Sequence, residues 1–235
     1  MQSIQYINNF FKDLSFNEGS HTYTVDNNIL PSVSSLIKKV TPIFDEELIS
    51  SRVSKATNKS QQEILRSWKE TSDEACDRGT RVHNFAEAYA YDRNLIPSCP
   101  QEAAVKKFWD DMPEHIIPAF VELRMYHKIF AYAGTGDLIL YDMSNGSFIL
   151  GDYKTNKNLF KNFKNQPLLF PFLNMLATPF SKYSIQLSYY QILFEQTGFK
   201  VSSRKLIWLD LTGNYIMYNL EDYTSVLTEE LSKRN

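Results

Sequence analysis

The chain has 235 residues, 43% of them hydrophobic, which is enough apolar material for one good core and too short for more than two domains. Its formal net charge of −2 excludes a protein that is basic all over, so any contact with nucleic acid must come from a local patch. Two isolated cysteines, Cys76 and Cys99, exclude a disulfide framework and a four-cysteine cluster and suit a reducing interior. The opening MQSIQYINNFFKDLSF has neither a basic start nor an apolar core of signal length, and no apolar run approaches the roughly eighteen residues of a membrane span. A soluble, cytoplasmic protein is expected.

In chain order, residues 2–13 predict a short helix with Ile4, Ile7 and Phe10 or Phe11 on one face. Phe16, Tyr23 and Val25 alternate around turn-forming residues and predict small β ribbons. At Pro31-Ser32-Val33-Ser34-Ser35, proline and serines precede an apolar-periodic run, the pattern of a helix start. Two readings stand there: a plain cap, or a phosphate site made by free N–H groups and the Ser32 and Ser34 hydroxyls. Over 61–91 apolar or small residues recur at three- and four-residue steps, which predicts a long amphipathic helix. It carries Arg78-Gly79-Thr80-Arg81-Val82-His83 and places His83 and Glu87 four apart on one face. From spacing alone, a lone histidine there is more often a hydrogen-bonded core or rim residue than a ligand. After Pro97-Ser98-Cys99-Pro100 a short helix over 102–111 and a strand over 119–126 are expected, with Glu122 on the strand's polar face.

The stretch 133–155 organises the rest. Two β-rich runs, 137–141 and 148–153, flank Asn145-Gly146, the strongest short signal for a two-residue hairpin turn. With those residues at the turn, Ser144 faces Ser147, Ile139 faces Asp152 and Asp137 faces Lys154. The side-chain period of two then puts Asp137, Asp152 and Lys154 on one face. The residues between are apolar on both faces, as in a strand buried between layers, so charges at its end need a reason. Two carboxylates that hold Mg²⁺ beside a lysine that positions or deprotonates water make a phosphodiester-hydrolysis site. Beyond the hairpin, Lys157, Lys161 and Lys164 recur with Phe160 and Phe163 and suit a loop or helix that contacts a strand of nucleic acid. The segment 166–179, with three prolines, is an excursion over the site's mouth or, alternatively, buried loop packing. Ser181 is expected to cap a helix ending at Gly198 that carries Gln186 and Tyr190 one turn apart. Strands over 204–211 and 215–220 and a closing helix with Tyr223, Val226, Leu227 and Leu231 complete the chain.

These residues carry a resemblance. Asp137, then Asp152-Tyr153-Lys154 fifteen residues on, resembles the D…(D/E)xK signature of the PD-(D/E)XK nuclease superfamily, with Gly136 in place of the common proline. RGTxVHxxxE, from Arg78 to Glu87, is similar to the helix motif of RecB-type nucleases, lambda-like exonucleases and mitochondrial genome maintenance exonucleases. Gln186-Leu187-Ser188-Tyr189-Tyr190 resembles their QLxxY motif, and the PSVS opening resembles one seen in viral and mitochondrial members. The resemblance covers roughly residues 29–210 and implies one nuclease domain, mainly helical over 1–112 and a sheet core over 113–235. The implied fold is α/β, a restriction-endonuclease-like central mixed β-sheet flanked by helices, with a helical N-terminal elaboration. Asp137, Asp152, His83 and the Tyr153 carbonyl are implied to hold one or two Mg²⁺ or Mn²⁺ ions, and Lys154 to orient or activate water. Glu122 is implied as an active-site contributor, an exposed cross-strand pair being its alternative. Ser32, Ser34, Arg78, Lys157, Lys161, Gln186 and Tyr190 are implied to bind substrate. The implied activity is a DNA exonuclease of phage or mobile-element type, working on DNA ends alongside recombination or replication proteins, with no iron–sulfur cluster. Two alternatives stay open, a structure-specific endonuclease of the same fold and a silent nucleic-acid-binding accessory protein.

Overall fold

The computed structural model describes residues 2–233. The N-terminal part comprises α1 (Gln2–Phe10), a small antiparallel ribbon β1 (Ser15–Asn17), β2 (Thr22–Val25), β3 (Asn28–Leu30), then α2 (Val33–Lys39), α3 (Glu46–Ala56), α4 (Gln61–Tyr91) and α5 (Pro100–Asp110). The main sheet is built from β4 (Ile116–His127), β5 (Tyr132–Asp142), β6 (Ser147–Lys154), β7 (Val201–Leu209) and β8 (Tyr215–Asn219), with α6 (Pro179–Glu195) between β6 and β7 and α7 (Thr224–Ser232) closing the chain. The strands lie in the order β4-β5-β6-β7-β8; β6 and β7 are parallel and the other neighbours antiparallel. The chain is thus α/β, a mixed five-stranded sheet flanked by helices with an N-terminal helical region, as expected. Among the described residues no helix is long and apolar enough to cross a membrane.

Local signals explain most of these elements. Ser60 and Glu63 form a reciprocal capping box that starts α4 at the predicted residue, and Pro100, whose missing N–H costs nothing in a first turn, opens α5. Each face of the sheet has its own core. One contains Ile139, Leu150 and Leu206 with Leu36 of α2, Ile185 and Leu193 of α6 and Leu227 of α7. The other contains Leu138, Ile149, Tyr153 and Ile207 with Val82 and Tyr89 of α4 and Phe108 of α5. The continuous apolar reading of the hairpin strands is therefore correct: both faces are covered, and β6 alternates between the two cores.

Four expectations need correction. The hairpin does not turn on two residues: Asp142 pairs with Ser147, leaving a four-residue loop over 143–146. The Asp142 carboxylate accepts the Ser144 N–H at 2.9 Å and the Asn145 side-chain amide at 2.9 Å, and its carbonyl accepts the Gly146 N–H at 2.9 Å. This local cap, with Gly146 at φ 73°, outcompetes the shorter turn. The register moves by two residues, an even number, so the side-chain faces survive although the partners change. Second, Thr178 rather than Ser181 caps α6, accepting the Ser181 N–H at 3.1 Å, and the helix stops at Glu195. Third, of the two readings of 166–179 it is the packed loop that the structure shows. Leu168 and Phe172 are buried in the core, Leu168 and Leu169 donate backbone hydrogen bonds to Met175 and Val40, and the segment is a packed loop. Finally α3, whose N-cap Asp45 accepts the Leu48 N–H, fills 46–56, where no element was expected.

Candidate active site

One step outward from the Leu138/Gly151 pair, the ladder of β5 and β6 brings Asp137 alongside Asp152. Asp152 is completely buried and its Oδ1 has no hydrogen-bond partner; its Oδ2 lies 2.6 Å from Lys154 Nζ, two residues along the same strand. The expected cross-strand pairing of Lys154 with Asp137 is thus replaced by a same-strand pair with Asp152, a direct result of the two-residue register change. Lys154 Nζ also sits over the Tyr183 ring at 4.9 Å, and the Tyr183 hydroxyl donates to Asn156 Oδ1 at 2.7 Å.

From the other layer α4 delivers His83, whose Nδ1 is 3.2 Å from Asp137 Oδ2, although that oxygen makes no hydrogen bond. The expected close approach at Gly79, a turn earlier, does not require glycine: a Cβ there would meet Thr155 Oγ1 at 3.9 Å, an ordinary contact. Glu122 completes the group from β4. The pairs Val121/Leu138 and Leu123/Gly136 flank it, which sets Glu122 opposite Asp137, and its φ is 52°. A non-glycine residue in the left-handed region inside a strand costs roughly 1–3 kcal/mol and clusters at functional sites. One ligand-type atom from each of His83, Glu122 and Asp137 lies within 4.8 Å of the other two. Asp152 stands outside that triplet, beside Asp137.

Burial and crowding of like charge show in the ionisation. Burial first, then Asp137, Glu87 and Asp152, push Glu122 up to about 8, against a smaller opposing effect of Lys154. Burial raises Asp152 to about 7; the adjacent Lys154 opposes this and Asp137 reinforces it. For Lys154 burial alone would lower the pKa, but Asp152 and Asp137 outweigh it and the ammonium is held above its ordinary range. Both carboxyl groups are raised above the roughly 4 of an unfolded chain, so their contribution to stability is complete below about pH 4 and is lost as the pH rises through 7 to 8. The metal-free protein is therefore expected to melt at a lower temperature at about pH 9 than at about pH 6. Mn²⁺ should restore more of the loss at the higher pH, because a cation competes with those protons. Melting curves in EDTA and in Mn²⁺ at the two pH values check this; equal Mn²⁺ shifts at both would contradict it.

The remaining expected residues fall less centrally. Tyr190 is buried against Gly134, where a Cβ would come within 2.7 Å of its ring; its hydroxyl accepts a hydrogen bond from Gln186 Nε2 at 3.0 Å. Burial raises the Tyr190 phenol, and Asp137 and Asp152 add to the effect. Gln186 lines a small cleft with Ser34, Asn156, Lys182 and Tyr183. Ser32 is the helix cap of the plain reading: its Oγ accepts the Ser35 N–H at 3.1 Å. Arg78 is half-buried with Nε unpartnered, whereas Lys157 and Lys161 are exposed. Tyr153 sends its side chain into the opposite core. Tyr183 was missed, although it lies three residues, about one turn, before Gln186. No protein-family model matches the chain, and no curated protein matches it.

Proposed function

We propose that the protein is a metal-dependent DNA nuclease, an exonuclease of phage or mobile-element type acting in DNA recombination, repair or replication. The observation that carries this reading is the convergence of His83, Glu122 and Asp137 beside a buried Asp152–Lys154 pair, with oxygens of both aspartates unpartnered. Buried carboxylate oxygens without donors are costly unless a cation takes their place, and an O,O,N donor set suits Mg²⁺ or Mn²⁺. His83, Glu122 and Asp137 would hold the ion, with Asp152 and the Tyr153 carbonyl at its margin. Bound there, the cation supplies Lewis-acid activation and stabilises charge on the leaving oxygen. Lys154 presents an ammonium fixed by Asp152 and backed by Tyr183, so it can donate to the attacking water or to a phosphate oxygen and offset the developing negative charge. Glu122, whose pKa is raised in the metal-free site, would give up its proton on binding the ion, so binding should release a proton near neutral pH.

Linear DNA should be degraded to short products in Mg²⁺ or Mn²⁺, EDTA should stop the reaction, and covalently closed circles should survive. Gel assays on matched linear and closed plasmids test this. Rapid nicking or linearisation of the circles would transfer the site to an endonuclease, and inertness towards every DNA in both metals would remove the nuclease reading.

A further inference from the structure

Residues 153–194 hold five lysines and no aspartate or glutamate, in a chain whose net charge is −2. Within that run Lys157, Lys161 and Lys164 are exposed, and among the described residues none of them is in an ion pair. Two phenylalanine rings interleaved with them, and a third six residues beyond Lys164, face outward: Phe160 is 56% exposed, Phe163 40% and Phe170 63%. An exposed phenylalanine on a loose loop would be unremarkable, but two of these are braced from behind. Phe160 rests on Phe180 at 5.1 Å and Tyr218 at 5.8 Å, and Phe163 on Phe44 at 5.4 Å. Leu159 and Leu168, on either side, are buried, and the Leu159 carbonyl accepts the Phe180 N–H at 2.9 Å, so the rings stand on a packed loop. The loop leaves the end of β6 directly after Lys154, and Asn156, at the start of the loop, shares a small cleft with Tyr183, over whose ring Lys154 Nζ sits.

We infer that this loop is a platform for single-stranded nucleic acid, which names the substrate class of the nuclease proposed above and rests on that reading. Unpaired bases stack on the outward faces of Phe160, Phe163 and Phe170, while Lys157, Lys161 and Lys164 pair with the intervening phosphates. The charge selects a polyanion over a neutral or basic protein surface. The rings select a single strand, because a duplex keeps its base faces stacked inside and offers them nothing.

The test is fluorescence anisotropy of labelled oligothymidylate, and of a duplex of equal length, with EDTA present so that nothing is cut. The single strand should bind more tightly than the duplex. Phe160→Leu, which keeps the apolar contact with Phe180 but removes the stacking ring, should weaken single-strand binding about tenfold with an unchanged melting temperature. Lys161→Ala should reduce the slope of log affinity against log salt by about 0.7, one phosphate contact on a single strand. A duplex bound equally well or better, or a Phe160→Leu variant of undiminished affinity, would overturn the inference. Failure to bind either nucleic acid would overturn it too and give the surface to a protein partner. Because binding is read without cleavage, a protein that binds single strands but never cuts refutes the nuclease reading alone, and one that cuts without needing the rings refutes the platform alone.

Discussion

In the proposed nuclease Asp137→Asn is expected to abolish DNA hydrolysis, by about a thousandfold or more, while the inactive protein melts no lower than its parent. Asp137 is the residue at which the site's connections meet: 3.2 Å from His83, opposite Glu122 in the β4–β5 register and alongside Asp152 at the end of β6. It also adds to the raised ionisation of both acidic neighbours. The isosteric amide relieves crowding of like charge, so the metal-free fold gains while the proposed cation would lose a ligand oxygen. Opposite movement of activity and stability is the mark of a functional site, whereas a residue holding the core together would lose both. Cleavage within about tenfold of the parent, or a fall of several degrees in melting temperature, would remove Asp137 from the metal site.

The second large effect concerns Lys154. Lys154→Met keeps the length and packing of the side chain over Tyr183 but leaves Asp152, fully buried, without its counter-ion. Breaking a buried pair from one side costs about 3–5 kcal/mol when the remaining charge cannot be neutralised. Here Asp152 can take a proton, so the destabilisation should be small at about pH 6 and grow above its pKa of about 7. Hydrolysis should fall about a thousandfold, while the Mn²⁺ affinity measured by calorimetry stays near that of the parent, since an ammonium is no ligand. Adding Asp152→Asn should recover the alkaline stability without any activity. If Lys154→Met kept substantial activity, or lost metal binding along with activity, the water-orienting role would fall.

Much of this site was legible in the chain because it rests on local chemistry. The start of α4 follows from Ser60 and Glu63 and its course from a run of apolar spacing, whereas the metal role of His83 is implied by the resemblance, since spacing alone favours a core or rim residue. The shared face of Asp137, Asp152 and Lys154 was also readable, since alternation along a strand is insensitive to an even change of register. The turn was not, because the choice between two and four residues depended on whether the Asp142 side chain would cap the loop, which Asn145-Gly146 does not reveal. Ser181 is likewise displaced as the cap, because Thr178, three residues earlier, offers the same hydroxyl directly before a proline suited to a first turn.

By itself, then, the sequence determined most of the elements, though not α3, together with their buried faces and which acids lie at the end of the central hairpin, for these depend on neighbours a few residues away. Only the tertiary structure decided that Lys154 pairs with Asp152 and that Glu122 belongs to the group. It also decided that 166–179 packs Leu168 and Phe172 into the core while Phe170, like Phe160 and Phe163, stays exposed. Each of these depends on a partner distant in the chain: β4 against β5, α6 beneath Lys154, and Val40 and Phe180 beneath the loop. The left-handed backbone of Glu122 has no local sequence signal, because the strand that imposes it is formed by other residues.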